Sequence, residues 1–179
     1  MPIPVLETAR LILRPLRAGD AHDMFEYAQD PALARLGMWD PYDSFEACEQ
    51  HIEHLIPLYE KRLMWWAIEH RADKRLIGRV ELAEWDPDNE HAELGYALNR
   101  NYWGQGLMTE AVALAVDYGW TQLALHRLGA TVLPENTASI RLLTRIGMKR
   151  EGRLRDYRRL AGEWVDVDVY GMLRTDSVS

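Results

Sequence analysis

Residues Asn99–Leu125 read NRNYWGQGLMTEAVALAVDYGWTQLAL, and the fold is decided by how this stretch is parsed. A glycine turn at Gly104-Gln105-Gly106 passes directly into an apolar helical pattern. Leu107, Ala111, Leu114, Ala115 and Tyr118 recur at the spacing of one helix face. Met108, Val112 and Val116 widen that face until Glu110, Asp117 and Thr121 leave only a narrow polar strip, as in a helix laid on a sheet. Upstream, Glu93–Leu98 (ELGYAL) reads as a strand, so the unit is strand, glycine turn, helix. The first N–H groups of a helix lack internal partners and carry partial positive charge. Glycines beside them let a bulky anion come close to the backbone. A phosphate or pyrophosphate fits such a place; the plainer alternative is a turn that only starts a buried helix.

Working outward, Thr8–Leu16 reads as a strand, and Asp20 can cap a helix over Ala21–Gln29. Asp30-Pro31 is expected to end that helix and to open an aromatic loop over Ala32–Tyr42. Ser44 can cap a second helix running toward Arg62, which Pro57 should kink or divide. Leu63–His70 and Leu76–Trp85 read as a hairpin, and Glu90–Leu98 as the strand feeding the glycine turn. Arg127–Leu133 is a further strand, followed by a helix from Thr137 to Ile146 that Gly147 stops. Met148–Leu154 and Trp164–Leu173 are expected as closing strands. About seven strands with about four interspersed helices indicate an α/β (α+β) chain with a mixed sheet and helices on both faces. Without repeats, low-complexity segments or linkers, residues 1–179 are expected to form a single domain.

The composition narrows the function. A net charge of -7 argues against general nucleic-acid binding, which needs a basic face, and suits a cationic substrate. Cys48 is the single cysteine, so no internal disulfide forms and a reducing compartment is the simplest setting. The opening MPIPVLETAR has neither the basic start nor the apolar core of a signal peptide, and no apolar run approaches the ~18 residues of a membrane span. A cytoplasmic protein without membrane attachment is expected.

Two common phosphate loops do not fit. The dinucleotide fingerprint needs a third glycine where Thr109 stands, and the triphosphate loop needs a lysine, yet none lies between Lys74 and Lys149. Trp103-Gly104-Gln105-Gly106-Leu107-Met108 resembles the acyl-CoA loop of the GNAT acetyltransferases, Gln/Arg-x-x-Gly-x-Gly/Ala, with Met108 departing from the usual small residue. Trp103 in first place is similar to the ribosomal-protein N-acetyltransferase (RimJ/RimL-like) branch. Asn136, Ser139, Leu142, Gly147 and Met148 follow at the spacing of a second signature of that superfamily, one strand later. TARLILRPLRAGD at the start and EGRLRDYRRLAGEWVDVDVYGML at the end also resemble the branch, so the likeness covers nearly the whole chain.

The resemblance implies a GNAT fold, a mostly antiparallel sheet with a splay between the strand ending near Leu98 and the one starting near Leu128. It implies acetyl-CoA as cosubstrate. The pantetheine arm would bond to the backbone of Tyr96, Ala97 and Leu98, and the pyrophosphate would sit on the N–H groups from Trp103 through Gly104, Gln105, Gly106, Leu107 and Met108 to Thr109. Asn136 would hold the pantetheine amide. Many members place a tyrosine acid where this chain has Leu143, which leaves Ser139, or a water it orients, to serve the leaving thiolate.

Acetyl transfer to an amine needs a neutral nucleophile and a stabilised oxyanion. Deprotonating a lysine-like amine at pH 7 costs roughly 4–5 kcal/mol, an α-amine only about 1. Glu93 is the first candidate base and Glu81 the second, each weighed against a solvated strand carboxylate. Backbone N–H groups near Tyr96 and Ala97 are candidate oxyanion donors. Trp39, Tyr42, Trp65, Trp66 and Trp85 can wall an acceptor pocket, although strand tryptophans more often belong to the core. His51 and His54 stand one helical turn apart without an evident third ligand, so no metal is expected. Arg153, Arg155, Arg158 and Arg159 mark a basic stretch that suits a solvated face or a subunit contact, and a homodimer is compatible with it. The expected activity is N-acetylation of an amine-bearing small molecule or a protein N-terminus; the rival is a silent acyl-CoA-sensing module.

Overall fold

Runs of buried, mostly apolar residues build the first half of the sheet, and the computed structural model describes residues 3–61 and 64–178. The strands are β1 (Leu6–Glu7), β2 (Leu11–Arg14), β3 (Trp65–His70), β4 (Arg75–Asp86), β5 (His91–Leu98), β6 (Arg127–Val132), β7 (Lys149–Leu160) and β8 (Glu163–Leu173). The helices are α1 (Ala21–Ala28), α2 (Pro31–Gly37), α3 (Phe45–Leu55), α4 (Leu107–Thr121) and α5 (Thr137–Arg145). One sheet runs in the order β1-β2-β3-β4-β5-β6-β8-β7. Every neighbouring pair is antiparallel except β5 and β6.

That exception positions the site. β5 and β6 pair only where His91, Ala92 and Glu93 face Arg127, Leu128 and Gly129. Beyond Glu93 the two strands part, β5 continuing to Leu98 and β6 to Val132, so the sheet opens at its centre as the resemblance implied. Helices cover both faces. Gly119 brings α4 flush against the sheet, where an added Cβ would lie 3.3 Å from Leu82 and 3.0 Å from Leu125. Trp66 meets Tyr118 of α4 edge-on, with ring centroids 5.5 Å apart. On the other face Arg79 lies over Trp65, and Trp39, just past α2, covers it.

Four readings of the sequence are corrected. Among the described residues the sheet has eight strands rather than seven, because Leu6–Glu7 pairs with Leu13 and Ile12 as a short edge strand. Asp30-Pro31 does not open a loop. Asp30 accepts from the N–H groups of Ala32 (2.9 Å) and Leu33 (3.4 Å), Pro31 fills the first helical position, and a fifth helix, α2, runs to Gly37. β7 extends to Leu160 rather than Leu154, since after an irregularity between Leu154 and Arg158 β8 again supplies partners to Arg158, Arg159 and Leu160. Asp20 stands before α1 but does not cap it; its carboxylate turns back to Arg14 Nη1 (2.8 Å) and Nη2 (2.7 Å) and to the Arg17 N–H (2.7 Å). Arg14 Nε also reaches Glu69 at 2.6 Å, so this buried guanidinium ties β2 to β3 and to the start of α1. Ser44 caps α3 through the Ala47 N–H at 3.2 Å, and at Ile56–Lys61, around Pro57, the α-helix gives way to a 3-10 turn. The expected helix end at Arg62 and strand start at Leu63 lie outside the described residues. Among the described residues, no helix is long and apolar enough to cross a membrane.

Candidate active site

The glycine turn is held from below by its own neighbours. After β5 the Asn99 N–H donates to the Ile77 carbonyl (2.8 Å), and Asn99 Oδ1 accepts from Asn101 (3.0 Å) to start a 3-10 turn over Arg100–Tyr102. Trp103 commits two donors inward, its N–H to the Arg100 carbonyl (3.1 Å) and its indole Nε1–H to the Leu98 carbonyl (2.8 Å). Gly104 (φ +76°) and Gly106 (φ +75°) then adopt a left-handed backbone that a side chain would strain. A Cβ on Gly104 would meet nothing within 4 Å, so the space above the loop is open. Gly106 precedes α4 and has no side chain to cap it, which leaves the first N–H groups of a 15-residue helix to an external acceptor. Arg10 clasps the loop, donating from Nη1 to the Gln105 carbonyl (3.0 Å) and from Nε to Glu110 (2.8 Å).

Above this loop the parted strands enclose a cleft of about 870 Å³. It brings together most residues singled out in the sequence: Trp39, Glu81, Glu93, Tyr96, Ala97, Leu98, Trp103, Gly104, Gly106, Leu107, Met108, Thr109, Asn136 and Ser139. Gln105 takes part through its carbonyl, which faces Arg10. Four aromatic candidates are not brought in, Trp66 among them, which is buried against Tyr118 of α4. Trp65 is buried beneath Arg79, Tyr42 packs on His51 with ring centroids 5.7 Å apart, and Trp85 joins the margin of the core. Alternation along a strand does not reveal which of its faces is roofed over, so their aromatic character was no guide. A shallower depression of about 700 Å³ on the closing hairpin shares only Leu154 and Tyr157 with the cleft.

The two carboxylates sit on the same face of β4 and β5, each over a glycine. A Cβ at Gly95 would lie 2.6 Å from Glu81 Oε1, and one at Gly129 2.1 Å from Glu93 Oε1. Their environments separate them. Arg79 holds Glu81 in a side-chain ion pair while lying 5.6 Å from the Trp39 ring centroid. Glu93 makes no side-chain hydrogen bond among the described residues, and burial, reinforced by the Glu84 carboxylate, pushes its pKa up. A carboxylate raised in this way is better matched to taking a proton near neutrality.

Across the splay, Asn136 caps α5, its Oδ1 accepting from the Ser139 N–H at 3.1 Å. Its Nδ2 donates to the Leu36 carbonyl at 3.2 Å, tying α5 to the end of α2. One Nδ2–H and one lone pair of Oδ1 stay available to a ligand. Leu143, in the place of the tyrosine found in many superfamily members, is buried. The Tyr96 phenol instead reaches Ser139 Oγ, 2.7 Å away.

A splayed sheet, an uncapped helix behind two left-handed glycines and an Asn-capped second helix form one constellation, and residues 10–149 match the family model for the acetyltransferase (GNAT) domain. The chain belongs to the GNAT acetyltransferase family. It is 36% identical over 172 residues to the uncharacterized N-acetyltransferase YoaA of Bacillus subtilis (strain 168), covering 96% of this chain and 97% of the relative. It is 29% identical to the [ribosomal protein uS5]-alanine N-acetyltransferase of Escherichia coli (strain K12), over 90% of this chain and 86% of that one. Among solved structures, the spermidine N-acetyltransferase of Vibrio cholerae in complex with CoA and spermine superposes with a TM-score of 0.82 at 26% identity, covering 96% and 100%.

GNAT acetyltransferases use acetyl-CoA, and this enzyme has the features to hold it: open space over Gly104, free N–H groups at the start of α4, and unfilled polar capacity on Asn136. Bound there, acetyl-CoA supplies the activated acetyl group. Several lining residues escaped the sequence reading. Arg141 and Arg145 line the cleft from α5 and form no hydrogen bond or ion pair among the described residues, which suits them to anionic groups. Arg79, Glu84 and the Tyr96 side chain were also missed. Helical spacing places Arg141 and Arg145 on one face of α5, the one local signal available; the others depend on strand register.

Proposed function

We propose that this GNAT acetyltransferase moves the acetyl group of acetyl-CoA directly to a primary amine within a ternary complex. The observation that carries the reading is Glu93, a half-buried carboxylate of raised pKa lining the cleft where β5 and β6 part. Glu93 takes the amine proton, the Tyr96 N–H, which faces the splay because the β4–β5 register turns the Ala97 N–H to β4, receives the oxyanion, and Ser139, or a water it orients, serves the departing thiolate. The amides of Gly104–Thr109 receive the pyrophosphate. Trp103 contributes its ring, because its own N–H is committed to Arg100. Glu81, neutralised by Arg79, shapes the acceptor end together with Trp39 and Glu84.

A cationic amine suits this end of the cleft, where Glu84 and Glu93 leave negative charge after Arg79 and Glu81 cancel. Relatives named for spermidine and for an alanine of a ribosomal protein support an amine-bearing small molecule or a protein N-terminus as acceptor. A cytoplasmic setting belongs to the same reading, supported by a lone, buried thiol whose pKa burial pushes up to about 11. The test is CoA release across polyamines, amino acids and peptides with free N-termini. Trp39→Ala should raise KM for the best amine and leave KM for acetyl-CoA unchanged. A hydroxyl compound as the preferred acceptor would overturn the proposal.

A further inference from the structure

The Tyr96 side chain runs from β5 to the first turn of α5 and stops 2.7 Å from Ser139 Oγ. Ser139 is itself fixed by the Asn136 cap at 3.1 Å, and Asn136 by its bond to Leu36 at 3.2 Å. Both hydroxyls line the cleft between the glycine loop and α5. Burial pushes the Tyr96 phenol up to about 12, the Ser139 bond opposes this, and no charged side chain contributes. The phenol therefore stays protonated at neutral pH. It is the more acidic of the two hydroxyls, so it donates and Ser139 Oγ accepts. With one lone pair of Oγ occupied, the hydrogen of Ser139 turns away from Tyr96, toward the cleft.

We propose that Tyr96 is a positioning residue for the leaving group: its hydroxyl donates to Ser139 Oγ and so aims and polarises the Ser139 O–H toward the sulfur that departs from acetyl-CoA. This rests on the acetyl-transfer reading above. As the C–S bond of the tetrahedral adduct breaks, its electron pair passes to sulfur, which accepts the Ser139 hydrogen bond and then takes a proton from water. Tyr96 and Ser139 keep their own protons, and the proton of the amine leaves through Glu93. Hydrogen bonds in a chain strengthen one another, and a bond to an ionised acceptor is the strongest kind.

The test uses the full chain with CoA and follows the ionisation of the bound thiol by thiolate absorbance. In the wild type the bound thiol should titrate below free CoA, and Ser139→Ala should abolish that difference. Tyr96→Phe should abolish part of it and lower kcat roughly 3- to 10-fold, with KM for acetyl-CoA and affinity for desulfo-CoA unchanged. Fluorotyrosine at position 96, a stronger donor of nearly the same shape, should move thiol ionisation and kcat the opposite way, a response that a packing role would not give. It also serves as the probe should Tyr96→Phe misfold. Wild-type thiol ionisation in a folded Tyr96→Phe variant, or indifference to fluorination, overturns the Tyr96 assignment alone. Failure of the wild type to bind CoA overturns the acetyl-transfer reading with it.

Discussion

Gly129→Ala tests the placement of Glu93 with a single methyl group. Gly129 faces Glu93 in the parallel β5–β6 register, and a Cβ there would stand 2.1 Å from Oε1, 2.7 Å from Cδ and 2.9 Å from Oε2 of the carboxylate. Ordinary contact begins at 3.4 Å, so the carboxylate must retreat by the difference, about 1.3 Å. The obstructing atoms belong to the end of a flexible side chain, and Gly129 is not in the left-handed region, so the strand itself can stay where it is. Alanine also restricts the unfolded chain, which stabilises by about 0.4–1 kcal/mol and offsets part of the cost of resettling the carboxylate. Net stability should therefore change by no more than about 1 kcal/mol, or roughly 2–4 °C in Tm. Catalysis should suffer more, because misplacing a reacting group by about 1 Å costs on the order of 100-fold and a general base contributes roughly 100-fold or more. Steady-state CoA release should show kcat down roughly 10- to 100-fold with calorimetric affinity for acetyl-CoA unchanged. Glu93→Gln should give a loss of similar size, and the double variant little more than either. A folded Gly129→Ala enzyme with wild-type turnover, or losses that multiply in the double variant, would refute the role of Glu93 as base.

The raised pKa of Glu93 has a thermodynamic consequence of definite sign. The folded state holds that proton more tightly than the unfolded state, so the contribution is fully present below the unfolded pKa and is lost as pH rises through the folded one. Glu93→Gln should gain stability relative to the wild type between about pH 4 and about pH 8, measured by urea denaturation at both; a constant difference would contradict the shift. Gly106→Val places a branched side chain at φ +75° on the floor of the proposed pyrophosphate site, and should cost about 1–3 kcal/mol in stability while abolishing acetyl-CoA binding in calorimetry. Retained affinity in the folded variant would remove the loop from cofactor binding. Arg14→Met leaves Asp20 without a guanidinium and Glu69 with only Arg17 at 3.9 Å, and should destabilise by about 3–5 kcal/mol, lowering Tm by roughly 10 °C. A Tm within about 2 °C of wild type would show that solvent satisfies both carboxylates.

The parts of this acetyltransferase that local chemistry specifies were legible in the chain. The apolar periodicity of Leu107–Tyr118, the glycines at 104 and 106, Ser44 before α3 and Asn136 before α5 each act within a few residues, and the structure places them as read. Ambiguity began where one local signal serves two purposes. Asp30-Pro31 stops one helix and starts the next, and no periodic apolar pattern in the arginine-rich run revealed that β7 continues to Leu160. Tertiary structure alone decided which groups meet. Tyr96 finds Ser139 across 43 positions, Arg10 finds the Gln105 carbonyl across 95, and Glu93 owes its place over Gly129 to a three-residue parallel pairing. The turn that ends α2, where the Trp39 N–H donates to the Ala34 carbonyl, puts Trp39 at the cleft, while the β3–β4 register leaves Trp65 beneath Arg79. Helix caps and glycine turns are settled by interactions a chain makes with itself over one or two turns; a cleft is settled by strand register and by where two strands stop pairing, which depend on how all the burying faces fit at once.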